Sequence, residues 1–370
     1  MKRIIIIILA IVMVTLPLVA CGSQDTPAQT PAEQPPADPP GETQAEEPPA
    51  EAPPAQDAEP GKKFTIGVSY QGPNNDWAIN MKAHLEYGFA DHQDIIERVI
   101  YKEYGWDEDQ QIADLEDFLL AGIDLLIVAP HSDTGQAGAI ADIKAAGIHV
   151  VVYNGTAGTD EYDALIKGDN VAAGQADARW LVDRLGHEGN ILIIGGAPGS
   201  TYQEDLNQGY MDIINEYPGH EVLGIEYAFW SPASSKEIIE SYIARGDQID
   251  GIIVSGLMGL GALEAFTDAG LPIPPLTSGD GWTGFLFRAQ ELGFTDFAAI
   301  PTNNFDYAYG AVGLAMGILR GETVQRDTLI PPNPTMPAEE MLGMLTDNIP
   351  EAFWFGGLIP MADFDRFANA

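Results

Sequence analysis

Four stretches of the chain are apolar at nearly every position: LLIVA at 125–129, HVVVY at 149–153, ILIIG at 191–195 and GIIVS at 251–255. A strand with one wet face alternates apolar and polar residues. Continuous runs of this length therefore belong to strands covered on both faces, as in a parallel sheet flanked by helices. Further strand candidates are 64–70, 96–104, 164–167, 221–227, 276–278 and 297–301. Amphipathic stretches at 107–120, 137–146, 172–185, 234–244 and 260–269 lie between strands. Gly147, Gly186, Gly246 and Gly270 stand where those helices should end, because Gly takes a left-handed cap at least cost. The repeated strand, helix, strand order predicts an α/β fold of two open, doubly wound units, one starting at Phe64 and the other near Asn190.

The first 60 residues cannot join that core. Lys2 and Arg3 precede an apolar run from Ile4 to Val14, shorter than the ~20 residues of a membrane span and suited to a signal peptide over 1–20. Leu18-Val19-Ala20-Cys21 resembles the bacterial lipobox, which implies lipid on Cys21 and a mature chain anchored to a membrane. Cys21 is the only Cys in the chain, so no disulfide within the chain can support the fold. Residues 22–60 are rich in Pro, Ala, Glu and Gln and hold no Lys, Arg or aromatic residue. Such a segment stays extended, a tether of roughly 100 Å at most given ~3.1 Å per residue. A Pro-rich peptide ligand is the competing reading, and nothing basic accompanies the prolines to support it.

The chain carries 55 acidic and 17 basic residues. Setting aside nine acidic residues in the tether and two basic ones in the signal leaves a net charge near −31 on the body. Nucleic acid and anionic membrane surfaces need a basic footprint, so both are excluded as partners.

In open parallel sheets ligands lie beyond the carboxyl ends of the strands. The residues there are Ser69, Gln71, Asn74, Asn75 and Trp77 after the first strand, and Tyr153 and Asn154 after the fourth. Tyr202, Ser255, Asp280, Trp282 and Asn304 follow later ones. Amides, hydroxyls, one carboxylate and aromatic rings, with no basic residue, suit a neutral polyhydroxylated ligand: carboxylates and amides take hydroxyls, and ring faces cover C–H patches. A phosphate would call for Arg, Lys or a Gly-rich helix entrance.

The body from Lys62 to about Glu322 resembles the ribose-binding branch of the periplasmic binding proteins. The resemblance is carried by I-G-V-S followed by N-N-D-W, by A-G-I-H-V-V-V-Y-N, G-D-N-V-A-A-G-Q, G-L-G-A-L-E-A-F-T-D-A-G and S-G-D-G-W, and by Asn304 six residues before Gly310. It implies two lobes joined by a hinge, with 62–167 and about 301–335 in the first, 168–300 in the second and 336–370 unassigned. By the same resemblance Asn74 or Asn75, Trp77 and Asn154 contact the ligand from the first lobe, Asp280 with Trp282 close behind it from the second, and Asn304 near the hinge. Two positions depart from the pattern. Leu206 stands where the family often has Arg, and Ser255-Gly256 replaces the usual Asn-Asp. Tyr202, Glu204, Asp205 or Asn207 are then candidates to supply the missing contacts.

Bland readings compete at each position. Trp77 and Trp282 could be core rings, Asn75 a helix cap, Asp280 a turn residue, and Trp230 is balanced between cleft edge and packing. The six His residues show no metal-binding spacing. No nucleophile elbow, phosphate loop or second strand-end carboxylate is present, which argues against an enzyme, a glycoside hydrolase included. The expected function is capture of a sugar-like ligand without a cofactor or metal and its delivery to an ABC import permease, by a protein expected to be a monomer. A nucleoside receptor and a sensor feeding a signalling partner remain alternatives.

Overall fold

The computed structural model describes residues 61–368 apart from 74, 133, 279, 302, 303 and 351. The signal peptide, Cys21 and the tether lie outside the described residues. Six strands form the first sheet: β1 (Phe64–Tyr70), β2 (Ile96–Glu103), β3 (Leu125–Val128), β4 (His149–Tyr153), β5 (Ala164–Gly168) and β11 (Asp327–Ile330). Another six form the second: β6 (Glu188–Gly195), β7 (Gly219–Tyr227), β8 (Gly251–Val254), β9 (Leu276–Ser278), β10 (Phe297–Ala299) and β12 (Met336–Pro337). The strand orders are β11-β5-β4-β3-β1-β2 and β12-β10-β9-β8-β6-β7. From β1 to β5, each strand of the first sheet occupies the place of the strand numbered five higher in the second. All pairings are parallel except the short β10–β12 contact.

The apolar runs behave as their composition requires. Leu125 and Ile127 point into one core and Leu126 and Val128 into another on the opposite face, and Val151 and Val150 divide in the same way. In the second sheet Leu192 and Ile194 part from Ile191 and Ile193. Burying both faces stabilises each lobe at roughly 25 cal/mol per Å2 of apolar surface.

The first sheet is flanked by α1 (Asp76–Ala90), α2 (Glu108–Ala121), α3 (Ala137–Ala145) and α9 (Asn304–Leu319). The second carries α4 (Asn170–Leu185), α5 (Thr201–Ile214), α6 (Pro232–Arg245), α7 (Gly259–Ala269) and α8 (Thr283–Leu292). Asn75, Asp107, Asp169, Ser200 and Ser231 cap helix starts by accepting backbone N–H bonds, and Gly186, Gly246 and Gly270 end helices in the left-handed conformation. The chain crosses between the sheets after β5, after β10, and between β11 and β12. None of the helices among the described residues is long and apolar enough to cross a membrane.

Residues 331–368 apart from 351, in a region that shows no clear pattern in the sequence, form a strap across both lobes. The short helix α10 (Ala338–Gly343) packs near α8 and β10, and α11 (Phe364–Ala368) packs on α1. Between them Phe353 and Phe355 enter the second lobe's core, while the intervening Trp354 enters the first lobe's core. Thr283 Oγ1 donates to the Phe353 carbonyl (2.8 Å) on one side and Asn80 Nδ2 to the Ala352 carbonyl (2.8 Å) on the other.

Candidate functional site

At the carboxyl ends of β1, β3 and β4 and of the facing β6, β7 and β8, the lobes enclose a cavity of about 100 Å3. At ~10–15 Å3 per water this is room for roughly seven to ten waters, hence for one compact ligand. The cavity sits where each sheet reverses its strand order, at β1 and β6, the position at which open α/β sheets bind.

From the first lobe come Gln71, Asn75, Trp77, Tyr104, Trp106, His131, Ser132 and Asn154. Asn75 places its side chain by capping α1, its Oδ1 accepting from the Ala78 N–H at 2.9 Å. Asn154 adopts φ 58°, a left-handed turn that Asn tolerates better than bulkier residues and that redirects the chain at the cavity wall. The loop after β3 is fixed from behind by buried Gln111. Its Nε2 donates to Ser69 Oγ and to the Ala129 carbonyl, both at 2.9 Å, and its Oε1 accepts from the His131 N–H at 2.8 Å.

The second lobe brings Ser200, Thr201, Tyr202, Trp230, Gly256, Leu257 and Asp280. Asp280 is buried, and that burial pushes its carboxyl up to about 7, since a charge taken from water without a counter-ion favours its neutral form. No Lys or Arg lines the cavity among the described residues. Trp354 of the C-terminal strap closes one wall. Four of the chain's six Trp residues therefore surround one space, Trp77, Trp106, Trp230 and Trp354.

Three bulky residues near this space, Trp106, Phe229 and Trp230, hold positive φ of 69°, 52° and 53°. Such backbone strain persists only where the surroundings enforce it, and it concentrates at binding and switch regions. Here the Asp107 N–H bonds the Tyr104 carbonyl (2.9 Å) and the Phe229 N–H bonds the Gly196 carbonyl (2.9 Å), pinning both turns.

Residues 66–323 match the family described as "Periplasmic binding protein domain". The chain belongs to that family. Among its relatives is the xylitol-binding protein of Mycolicibacterium smegmatis, 29% identical over 224 residues that cover 60% of this chain and 63% of that protein. Another is the ribose import binding protein of Bacillus subtilis, 26% identical over 213 residues, 57% of this chain and 68% of the relative. The match thus spans somewhat under two thirds of the first relative's length. A solute binding protein from Bacillus halodurans C-125 with bound myo-inositol has a TM-score of 0.70 at 23% identity, covering 76% of this chain and 96% of that one. One from Thermobispora bispora has a TM-score of 0.71 at 20% identity, with 82% and 94% covered. These structural likenesses establish the fold, a type I periplasmic binding protein of two α/β lobes.

Of the residues expected at the site, Gln71, Asn75, Trp77, Asn154, Tyr202 and Asp280 converge on the cavity, and Trp230 joins them. Asn74 and the Asn304 side chain lie outside the described residues. The remaining candidates sit elsewhere. Ser69 is turned inward to Gln111. Tyr153 is wholly buried in the first lobe's core, where strand alternation directs it away from the site. Asn207 accepts from Gln203 Nε2 (2.8 Å), and Gln203 Oε1 accepts from the Gly196 N–H (2.6 Å), a chain that sets the β6–α5 loop. Asp205 pairs with Lys167 at 3.4 Å, second lobe to first. Trp282 is a tie rather than a wall, its Nε1 donating to Asp76 Oδ2 across the lobes at 3.0 Å. Ser255 lies behind Asp280 in an adjoining recess. Tyr104, Trp106, His131 and Ser132, absent from the sequence-based set, all follow β2 or β3; applying the strand-end rule equally to those two strands finds them. Trp354 carried no such signal, because its segment has no periodic pattern.

Proposed function

We propose that the chain is an extracytoplasmic, lipid-anchored receptor that closes over a sugar-like ligand and delivers it to an ABC import permease. One observation carries this reading: a cavity walled by both lobes that combines four Trp rings with amides, hydroxyls, the His131 imidazole and one carboxylate, with no Lys or Arg among its described lining residues. Ring faces accept the C–H surfaces of a polyol while Asn75, Asn154 and Asp280 take its hydroxyls. Because walls from both lobes touch the ligand together only when closed, binding energy shifts the hinge toward closure. The relatives are named for binding xylitol and ribose, which agrees with a polyol or pentose as ligand. No group of three or more His, Cys, Asp or Glu among the described residues could hold a metal, and the reading requires none.

The test is thermal unfolding against pentoses, hexoses, polyols and nucleosides at millimolar concentration. Binding to the folded state alone stabilises by RT ln(1 + [L]/Kd), ~2.7 kcal/mol at 100 times Kd. A rise in Tm with a sugar or polyol supports the reading, a rise with nucleosides alone redirects it to a nucleoside receptor, and no rise across the panel refutes it. Membrane fractionation of Cys21→Ser tests the anchor separately, with release into the soluble fraction expected.

A further inference from the structure

Behind Asp280 lies a second recess of about 40 Å3, room for roughly two to four waters. It shares Asp280 and Tyr202 with the main cavity, and Asp177, Ser255, Tyr210 and Tyr307 line its depth. Asp177, on α4, is 4% exposed and its Oδ1 has no hydrogen-bond partner. Ser255 is 3% exposed and its Oγ likewise has none. No Lys or Arg lines the recess among the described residues. Three aspartates thus line one small space without a cation among the described lining residues: Asp169, whose Oδ1 is engaged in capping α4, and the buried pair Asp177 and Asp280. Burial, and secondarily the charge of Asp280, raises the Asp177 carboxyl well above the usual range.

A polar group this deeply buried is costly unless something pairs with it, and an acid left without a counter-ion more so. Without a ligand, burial favours the neutral acids; a cation entering the recess would be matched by their charged form, which a neutral hydroxyl cannot draw out. An alkylammonium group is about the size of a water and brings three donors for Asp280, Asp177 and Ser255. We propose that this recess is a subsite for a protonated amine, so that the ligand is an amino-substituted sugar or polyol whose ammonium lies between Asp280 and Asp177. The proposal rests on sugar capture in the main cavity and specifies what the captured molecule carries.

Isothermal titration of the purified protein at pH 7.5 with matched pairs tests it: glucosamine and glucose, galactosamine and galactose, mannosamine and mannose, and 1-amino-1-deoxysorbitol and sorbitol. At least one amine is expected to bind tenfold or more tightly than its hydroxyl parent, and its uncharged N-acetyl form to lose that advantage. Asp177→Asn, which keeps shape but cannot ionise against an amine, is expected to shrink the amine-to-parent ratio at least tenfold. A loss of packing alone would weaken both members of a pair and leave the ratio unchanged. Parents that bind as tightly as their amines overturn the amine subsite and leave sugar capture standing. A ratio unmoved by Asp177→Asn overturns the assignment of Asp177. Binding by neither half of the panel overturns both readings.

Discussion

Trp106 and Trp230 stack across the cleft, ring centroids 5.2 Å apart and planes 18° from parallel. One follows β2 in the first lobe and the other β7 in the second, so the stack exists only while the lobes are closed. An aromatic pair contributes ~0.5–1.5 kcal/mol beyond its area burial. Trp230→Ala is therefore expected to weaken ligand binding by about 2- to 13-fold through the lost pair, and further through the lost wall. Most of the change should lie in faster release, which stopped-flow fluorescence would read; an unchanged dissociation rate contradicts a closing role for the stack.

Asp280 should make the ligand-free closed form less stable as pH rises. Burial lifts its carboxyl from 3.8 to about 7, so between those values the folded protein keeps a proton that an exposed carboxylate has lost. More protons are bound in the folded state, and stability falls through that window by up to ~1.4 kcal/mol per pH unit. Asp280→Asn has no such slope. The variant should gain Tm relative to the parent between pH 4.5 and pH 8 while its ligand affinity drops, an exchange of function for stability. Equal loss of Tm at both pH values is the result that rules this out.

The fold was legible because both faces of each sheet are covered, so that four strands announce themselves by composition alone. Strands β11 and β12 were not, being four and two residues long at the sheet edges and set by the neighbours they pair with. The lining of the candidate cavity was legible in part from the strand-end rule, as at Asn154 and Asp280. It failed at Ser69 and Tyr153, where the alternation of a strand turns the side chain inward, and at Trp354, which reaches the cavity through tertiary packing that no local pattern encodes.

Close backbone approach between α4 and α5 makes Gly209 sensitive. A Cβ there would lie 2.2 Å from the Val171 carbonyl oxygen, and one on Gly174 would lie 2.4 Å from that of Leu206. These are backbone atoms of a packed helix and cannot step aside singly. Gly209→Ala should destabilise by ~1–3 kcal/mol, the range for overpacking a close-fitted interior. The urea midpoint should fall with the m-value unchanged, and a midpoint equal to the parent's would mean that the two helices can part freely.

His84 links the C-terminal strap to pH. Its Nδ1 lies 2.8 Å from the Asn80 carbonyl and so carries the proton, leaving Nε2 to accept from the Ile359 N–H at 3.3 Å. The ring stacks on Phe305 with centroids 5.0 Å apart. Burial lowers its pKa from 6.5 to about 4, against the opposing pull of the Asn80 carbonyl. Between these values a released or unfolded chain binds a proton that the folded one does not. Stability is therefore complete above about pH 6.5 and is lost as pH falls toward 4, by up to ~1.4 kcal/mol per unit. Protonation would also set an N–H of Nε2 against the Ile359 N–H, so the strap should loosen before the sheets do. Hydrogen exchange of the 352–368 amides should quicken at pH 5 relative to pH 7.5, after correction for intrinsic rates, while the amides of β3 and β8 hold. His84→Gln, neutral throughout, should show no such pH dependence in the strap; if it loosens with acid as the parent does, His84 is not the group responsible.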